Sequence, residues 1–180
     1  TGARGVSPVI GQAAVAALQA TGRTVAAAES LTGGAVCVAL SEAEGSSAVF
    51  LGGAVTYAVS AKTDLLGVPA DLVQTVGPVH PRVAVEMARR VAARTGADVG
   101  VATTGVAGPK PHGGHEPGYA LVGWSCGDRV GAIEIQAPGS RATVRATVVA
   151  AALQVVTQCA RRGAASADEM SVDAEVADRE

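Results

Sequence analysis

The sequence is poor in aromatic residues, with one Trp, two Tyr and one Phe among 180 residues. Because 48% of the residues are nevertheless hydrophobic, the core has to be built from Ala, Val and Leu, which suits close packing of helices on a sheet. Single-stranded nucleic acids bind to basic grooves with aromatic stacking platforms. The sequence offers too few aromatics for such a groove, so we expect no direct nucleic-acid binding.

Neither sign of charge predominates, since the formal net charge is only −2. Residues 166–180 carry six acidic side chains and one Arg, which leaves a mild net charge of +3 on the rest of the chain. This bias is compatible with a small anionic substrate and too weak for a nucleic-acid interface. We expect a single α/β domain over residues 1–163, followed by an acidic disordered tail over residues 164–180.

Cysteines, export signals and long apolar runs are few or absent. Cys37, Cys126 and Cys159 show no paired metal-ligand spacing, so we expect no metal site and three reduced thiols, as in a cytoplasmic protein. Residues 1–7 do not form a secretory signal, and no uninterrupted apolar stretch is long enough to cross a bilayer. The sequence therefore predicts a cytoplasmic protein without a membrane partner.

Helical and strand patterns alternate along the first half of the chain. Periodicity and caps predict helices over 8–21, 33–44, 61–66, 69–74, 81–95 and 140–162, with Thr32 and Ser60 as possible caps. Apolar, β-branched runs predict strands over 24–29, 49–57 and 97–103, followed by a hairpin of 119–126 and 130–137. The pattern indicates an α/β fold with a mixed sheet.

The segment 28–34, Ala-Glu-Ser-Leu-Thr-Gly-Gly, lies between the first predicted strand and the next helix. Ser30 therefore falls at a strand-to-helix turn, where open α/β sheets bind their ligands. Thr32, Gly33 and Gly34 would offer a cap and backbone N–H groups for an anion or an oxyanion. The alternative is a plain capping turn that happens to contain a serine.

A serine nucleophile needs a base to take its proton. The three histidines lie in loops or at a helix start with no motif behind them, Arg cannot act as a base, and Lys62 and Lys110 are the two lysines. Lys62 follows the second strand, close to Tyr57. If the first two strands lie side by side, their C-terminal ends converge and Ser30, Tyr57 and Lys62 meet. The alternative is a surface lysine and a strand-end tyrosine.

Two further segments carry candidate binding groups. Residues 103–109, Thr-Thr-Gly-Val-Ala-Gly-Pro, end the third strand, so Thr104 and Gly105 could hold a substrate or an oxyanion. Arg141 and Arg145 lie one turn apart at the start of the last helix and could bind a phosphate. The alternatives are a tight turn and a solvated basic face.

Taken together, these motifs resemble the family of C-terminal domains of the competence/damage-inducible protein CinA, over about residues 9–162. The resemblance rests on the ordered series Ala28–Gly34, Gly45-Ser46-Ser47, Val55-Thr56-Tyr57, Lys62, Leu66-Gly67-Val68, Thr104–Pro109 and Gly139-Ser140-Arg141. The chain departs from the usual pattern at Val59, at His80 and at Lys110-Pro111-His112.

The resemblance implies a three-layer α/β/α sandwich, frequent homodimers and no metal or cofactor. It implies deamidation of nicotinamide mononucleotide to nicotinic acid mononucleotide and ammonia, with Ser30, Tyr57 and Lys62 as catalytic residues. It places a substrate-binding hydroxyl at Thr104 and a basic substrate-binding residue at Arg141. Two alternatives are a Ser-Lys amidase for another amide, and a catalytically weak domain that binds a nucleotide or a protein partner in competence or DNA damage.

Overall fold

The computed structural model describes residues 8–162, so the predicted acidic tail lies outside the described residues. Six helices, one short 3₁₀ turn and five strands follow one another along this part of the chain. In chain order they are α1 (Pro8–Thr21), β1 (Val25–Glu29), α2 (Ala35–Ser41), the 3₁₀ turn (Ser46–Ala48), β2 (Phe50–Val55), α3 (Val59–Asp64), α4 (Ala70–Val76), α5 (Pro81–Thr95), β3 (Val99–Gly105), β4 (Tyr119–Cys126), β5 (Arg129–Gln136) and α6 (Arg141–Arg162).

The five strands form one mixed sheet in the order β2-β1-β3-β4-β5. β1 pairs in parallel with both β2 and β3, whereas β3, β4 and β5 pair antiparallel. In this register Glu29, the last residue of β1, lies opposite Val55 of β2 and Thr103 of β3. The segments that follow β1 and β2 therefore leave the sheet at the same edge, as the sequence predicted.

Helices cover both faces of the sheet, which makes the three-layer α/β/α sandwich that the resemblance implied. One face packs against α1, α2 and α6, and the other against α4 and α5. β1 and β3 are buried along almost their whole length because they lie between the two helical layers.

Glycines let α5 lie directly on the sheet. A Cβ atom at Gly100 would stand 2.0 Å from the Ala88 carbonyl oxygen, and one at Gly123 would stand 2.1 Å from that of Ala84. These contacts are far shorter than any real Cβ contact, so the two backbones meet without side chains between them. This close packing explains how a core with so few aromatic residues is filled.

The starts and the N-caps of two helices differ from the prediction. α2 begins at Ala35 with Gly34 as its N-cap residue and has no side-chain cap, so Thr32 does not cap it. α3 begins at Val59 with Ala58 as its N-cap residue, so Ser60 is not the cap either.

Helix α6 is the element to compare with the expectation about apolar runs. Among the described residues it is the one helix long and apolar enough, by length and composition alone, to cross a membrane. It packs against α1, β3 and β4, and its buried side chains belong to the main hydrophobic cluster. Its apolar character is therefore accounted for by its place in the core.

Candidate active site

Ser30 and Lys62 meet at the edge of the sheet where β1 and β2 end. Lys62 Nζ lies 3.1 Å from Ser30 Oγ and donates a second hydrogen bond to the Thr56 carbonyl oxygen at 3.0 Å. The parallel pairing of β1 and β2 brings the two side chains together across 32 positions of sequence. The pair has the geometry that a serine nucleophile and its general base require.

Burial changes the proton affinity of the lysine. The side chain is among the largest that are fully buried, with 2% of its surface exposed, and this desolvation lowers the pKa of Lys62 to about 8. At pH 7 about a tenth of such amines are neutral, roughly three hundred times the fraction for an ordinary lysine. A neutral amine in hydrogen-bond contact with Ser30 can accept its proton.

The turn that carries Ser30 is held by Glu29, a residue that the sequence analysis did not single out. Its fully buried carboxylate accepts a hydrogen bond from Thr32 Oγ1 at 2.6 Å and three from backbone N–H groups, those of Gly34, Val36 and Cys37 at 2.9, 3.1 and 2.8 Å. A carboxylate at a helix N-terminus is favoured by both the free N–H groups and the helix dipole. The available signal was an acidic residue ending a buried strand directly before a glycine turn.

Because Glu29 occupies the start of α2, that helix end is not the open anion site that the sequence suggested. The Gly34 N–H donates to Glu29, and the Gly33 N–H donates to the Ser30 carbonyl oxygen at 3.1 Å. The Thr32 hydroxyl is fully buried and also contacts Thr103 Oγ1 at 2.7 Å. These three predicted binding groups are thus engaged inside the protein.

Two N–H groups of the same turn remain as candidate oxyanion donors. Within residues 8–162, the structure gives the backbone N–H groups of Leu31 and Thr32 no acceptor. They directly follow Ser30, which is the usual place for an oxyanion-hole donor beside a serine nucleophile. The Ser30 N–H itself donates to the Thr103 carbonyl oxygen at 3.0 Å and ties the turn to β3.

Tyr57 lies at the rim of the site and not between Ser30 and Lys62. Its side chain is 57% exposed, and its hydroxyl accepts a hydrogen bond from Arg141 Nη2. Arg141 Nη1 donates to the Gly108 carbonyl oxygen at 2.8 Å. The predicted meeting of three side chains is therefore reduced to the Ser30–Lys62 pair, with Tyr57 and Arg141 forming a second pair beside it.

The remaining predicted residues take structural positions around the pair. Thr104 is buried and its hydroxyl donates to the Pro78 carbonyl oxygen at 2.9 Å, while Gly105 ends β3 against the backbone of Ala120. Arg145 Nη2 donates to the Thr32 carbonyl oxygen at 2.6 Å. This hydrogen bond stabilises the turn that carries Ser30 and links α6 to the site.

The histidines lie away from this pair. His80 is the N-cap residue of α5, where its Nδ1 accepts a hydrogen bond from the Arg82 N–H at 3.2 Å. The His115 ring stacks on Tyr119 with 4.2 Å between ring centroids. Within the part of the chain that the structure describes, no group of three or more His, Cys, Asp or Glu side chains is arranged to hold a metal ion.

Comparison with known proteins gives one consistent answer. The model of the CinA C-terminal domain family matches residues 9–160. A crystal structure of a competence-damaged protein (CinA) superfamily protein from Klebsiella pneumoniae superposes with a TM-score of 0.83 at 26% identity, covering 86% of this chain and 98% of that one. A competence/damage inducible protein from Agrobacterium tumefaciens superposes with a TM-score of 0.80 at 32% identity, covering 84% and 94%.

Curated relatives are longer than this chain. A CinA-like protein of Frankia casuarinae is 41% identical over 133 residues, which are 74% of this chain and 31% of that protein. A competence-damage inducible protein of Bacillus subtilis is 40% identical over 124 residues, 69% of this chain and 30% of that protein. The chain thus spans about a third of the length of these relatives.

Proposed function

The chain belongs to the CinA C-terminal domain family, and on that premise we propose that it is an amidohydrolase that deamidates nicotinamide mononucleotide to nicotinic acid mononucleotide and ammonia. The observation that carries the proposal is the contact of 3.1 Å between Lys62 Nζ and Ser30 Oγ in a site where burial lowers the pKa of the lysine. The substrate itself comes from the family resemblance.

The first half of the reaction forms an acyl-enzyme. Ser30 Oγ attacks the carboxamide carbon while the neutral Lys62 amine takes the hydroxyl proton. The resulting oxyanion lies against the N–H groups of Leu31 and Thr32, and losing one donor of this kind typically costs a hundredfold or more in rate. When the C–N bond breaks, Lys62 returns the proton to the leaving nitrogen, and ammonia departs.

The second half releases the acid. Water attacks the ester on Ser30, and Lys62 takes a proton from that water and returns one to Ser30 as the ester bond breaks. One amide and one water become one carboxylic acid and one ammonia, so the atoms balance without a metal or a cofactor. Activity should therefore survive treatment with a chelator.

The nucleotide part of the substrate would lie at the rim. Arg141 and Tyr57 are exposed and contact each other, and Tyr57 directly follows Thr56, whose carbonyl oxygen accepts a hydrogen bond from Lys62. A guanidinium that now bonds a phenol and a carbonyl oxygen can turn to a phosphate, for which its planar fork is well suited. We propose that Arg141 holds the phosphate and that Tyr57 packs along the nucleotide.

The proposal extends to a cytoplasmic homodimer without a membrane or nucleic-acid partner. Support for an association surface comes from the edge strand β2 and the segment after it, where large apolar side chains are exposed, namely Leu51, Val55, Tyr57, Val59 and Leu65. Light scattering of the purified chain gives the mass that decides between monomer and dimer.

A panel of amides tests the proposal. Ammonia release is measured with nicotinamide mononucleotide, nicotinamide, nicotinamide riboside and simple aliphatic amides, using the wild-type chain and the Ser30→Ala and Lys62→Ala variants. Matched controls are Ser60→Ala and Arg89→Ala, which remove an exposed serine and an exposed cationic side chain on α5. We expect turnover of the mononucleotide that both site variants abolish and both controls retain.

The other outcomes identify the alternatives. Turnover of other amides only would indicate a Ser-Lys amidase of different specificity, and the substitutions at Val59, His80 and 110–112 would be the first places to look. Binding of the nucleotide by calorimetry without any ammonia would indicate a catalytically weak binding domain.

A further inference from the structure

A second cluster of reactive groups lies at the opposite end of the sheet, where β1 begins. It consists of Cys126 at the end of β4, Cys159 in the last turns of α6 and Arg23 between α1 and β1. Arg23 Nη1 donates to Cys126 Sγ at 2.7 Å and to the Cys159 carbonyl oxygen at 3.2 Å. Cys126 Sγ lies 3.6 Å from that same carbonyl oxygen. Three segments far apart in sequence thus bring two free thiols and a guanidinium together.

The surroundings shift the pKa values of the two thiols in opposite directions. A hydrogen bond from the Cys159 thiol lowers the pKa of Cys126, burial opposes this, and the charges of Arg23 and Arg129 lower the pKa further. The same hydrogen bond and burial raise the pKa of Cys159, against smaller effects of Arg162 and Arg23. The acidic groups near this region are Asp98, whose pKa the charge of Arg23 helps to lower, Glu86, which lines the same cleft as Arg23, and Asp128 in the turn after Cys126. These effects favour Cys126 over Cys159 as the thiol that loses its proton.

Cys37, the third cysteine, lies in surroundings that disfavour its thiolate. Burial and the nearby Glu29 carboxylate raise the pKa of Cys37. Thiolates, and not thiols, are the nucleophiles in cysteine chemistry. Cys37 is therefore an internal control for any reaction at Cys126, within the same folded molecule.

Small molecules can approach the cluster from solvent. Arg23, which donates a hydrogen bond to Cys126, also lines a surface cleft on the α5 side of the sheet. Cys126 is partly exposed, whereas Cys159 is buried behind it. This is the usual arrangement of an attacking cysteine in front of its resolving partner.

We propose that Cys126 is a peroxide-reactive thiolate and that Cys159 resolves its sulfenic acid to an intramolecular disulfide between β4 and α6. The Cys126 sulfur attacks one peroxide oxygen, the O–O bond breaks, and the released hydroxide leaves as water after taking a proton. The Cys159 sulfur then attacks the Cys126 sulfur, the S–O bond breaks, and the hydroxyl leaves with the Cys159 proton as a second water. Hydrogen peroxide, the oxidant, gains the two electrons that the thiols lose. The cluster is remote from Ser30, so this inference does not rest on the proposed function.

The test uses the full chain, folded and reduced, treated with hydrogen peroxide and followed by intact mass and peptide mapping. We expect the loss of two hydrogens, a linkage of the peptides that contain Cys126 and Cys159, and an unmodified Cys37. In Cys159→Ala the reaction should stop at a sulfenic acid on Cys126 that dimedone traps, and Cys126→Ala should form neither product.

The role of the guanidinium is measured by alkylation. With limiting iodoacetamide at pH 6, Cys126 should react at least tenfold faster than Cys37 in the wild-type chain, and Arg23→Gln should slow Cys126 about tenfold. Reaction of the three cysteines at equal rates in the folded wild-type chain would overturn the proposal, and that comparison needs no variant. A Cys126 sulfenic acid that accumulates in the wild-type chain without a disulfide would overturn the role of Cys159.

Discussion

Lys62 is a charged residue type in a position that water scarcely reaches, with 2% of its surface exposed. In the unfolded chain its pKa has the ordinary value, and in the folded chain burial lowers the pKa to about 8. The unfolded state therefore binds more protons between these two values, and stability rises with pH through that interval. The lysine is thus retained at the expense of stability, which is a common feature of catalytic groups.

The lowered pKa of Lys62 predicts how catalysis depends on pH. Because only the neutral amine accepts the Ser30 proton, kcat should rise about tenfold per pH unit below the pKa of Lys62 and level off above about pH 8. Steady-state ammonia release at saturating substrate between pH 5.5 and 9.5 measures the profile. A kcat that stays constant across this range would show that Lys62 does not act as the base.

Because burial of the charged amine costs free energy, we expect Lys62→Met to be inactive and more stable than the wild-type chain. Removing the buried amine relieves a penalty of about 3 kcal/mol at pH 7, from which the lost hydrogen bonds to Ser30 and Thr56 subtract, leaving a gain of about 1–3 kcal/mol. Urea unfolding at pH 7 and pH 10 measures the change. The gain should shrink at the higher pH, and a destabilised variant at pH 7 would contradict the account.

Glu29 is the other residue whose role depends on burial. Glu29→Gln keeps its shape but places an amide donor against N–H groups of α2, so we expect a loss of about 2–4 kcal/mol in the free energy of unfolding and a lower kcat. Glu44→Gln, an acid-to-amide change at an exposed position, is the matched control. Equal stability of the two variants would mean that the carboxylate does not hold the turn.

At the scale of elements, local sequence patterns predicted the bounds of those helices and strands whose ends depend on nearby residues. α1, α5 and β4 have the bounds that periodicity, Pro and Gly indicated, because each begins and ends within its own sequence. The start of α2 was misplaced because its N–H groups are satisfied by Glu29 of the preceding strand. Such a cap from outside the helix leaves only a weak local signature, the acidic residue that ends the strand before the glycine turn.

At the candidate site, too, one contact could be predicted from the sequence and another could not. The Ser30–Lys62 contact followed from one topological assumption, that the first two strands are neighbours and parallel. The partner of Tyr57 could not be predicted in this way, because Arg141 lies 84 positions away and reaches it from α6. Pairing of adjacent strands is a strong prior, whereas side-chain contacts between distant elements depend on packing details.

Close packing of α5 on the sheet gives an element-scale prediction. In Gly100→Ala the new methyl group would overlap the Ala88 carbonyl group, so the helix or strand must shift, and we expect a loss of about 1–3 kcal/mol or more. Thermal or urea unfolding measures it. An unchanged free energy of unfolding would show that α5 is not seated directly on β3.

At the scale of the whole molecule, one sheet carries two separate groups of candidate reactive side chains. The C-terminal ends of β1 and β2 hold the Ser30–Lys62 pair, and the opposite end holds the thiols of Cys126 and Cys159. Oxidation at one end and hydrolysis at the other can therefore be measured independently in one preparation. The chain spans about a third of the length of its curated relatives, and both proposals concern this domain alone.

The most direct test of the central claim is the rate of ammonia release from nicotinamide mononucleotide by the wild-type chain and by Lys62→Met. Because that variant is expected to be the more stable protein, loss of activity cannot be assigned to unfolding. The account predicts a fall in kcat of a thousandfold or more, matched by Ser30→Ala. Comparable rates for the wild-type chain and both variants would contradict it.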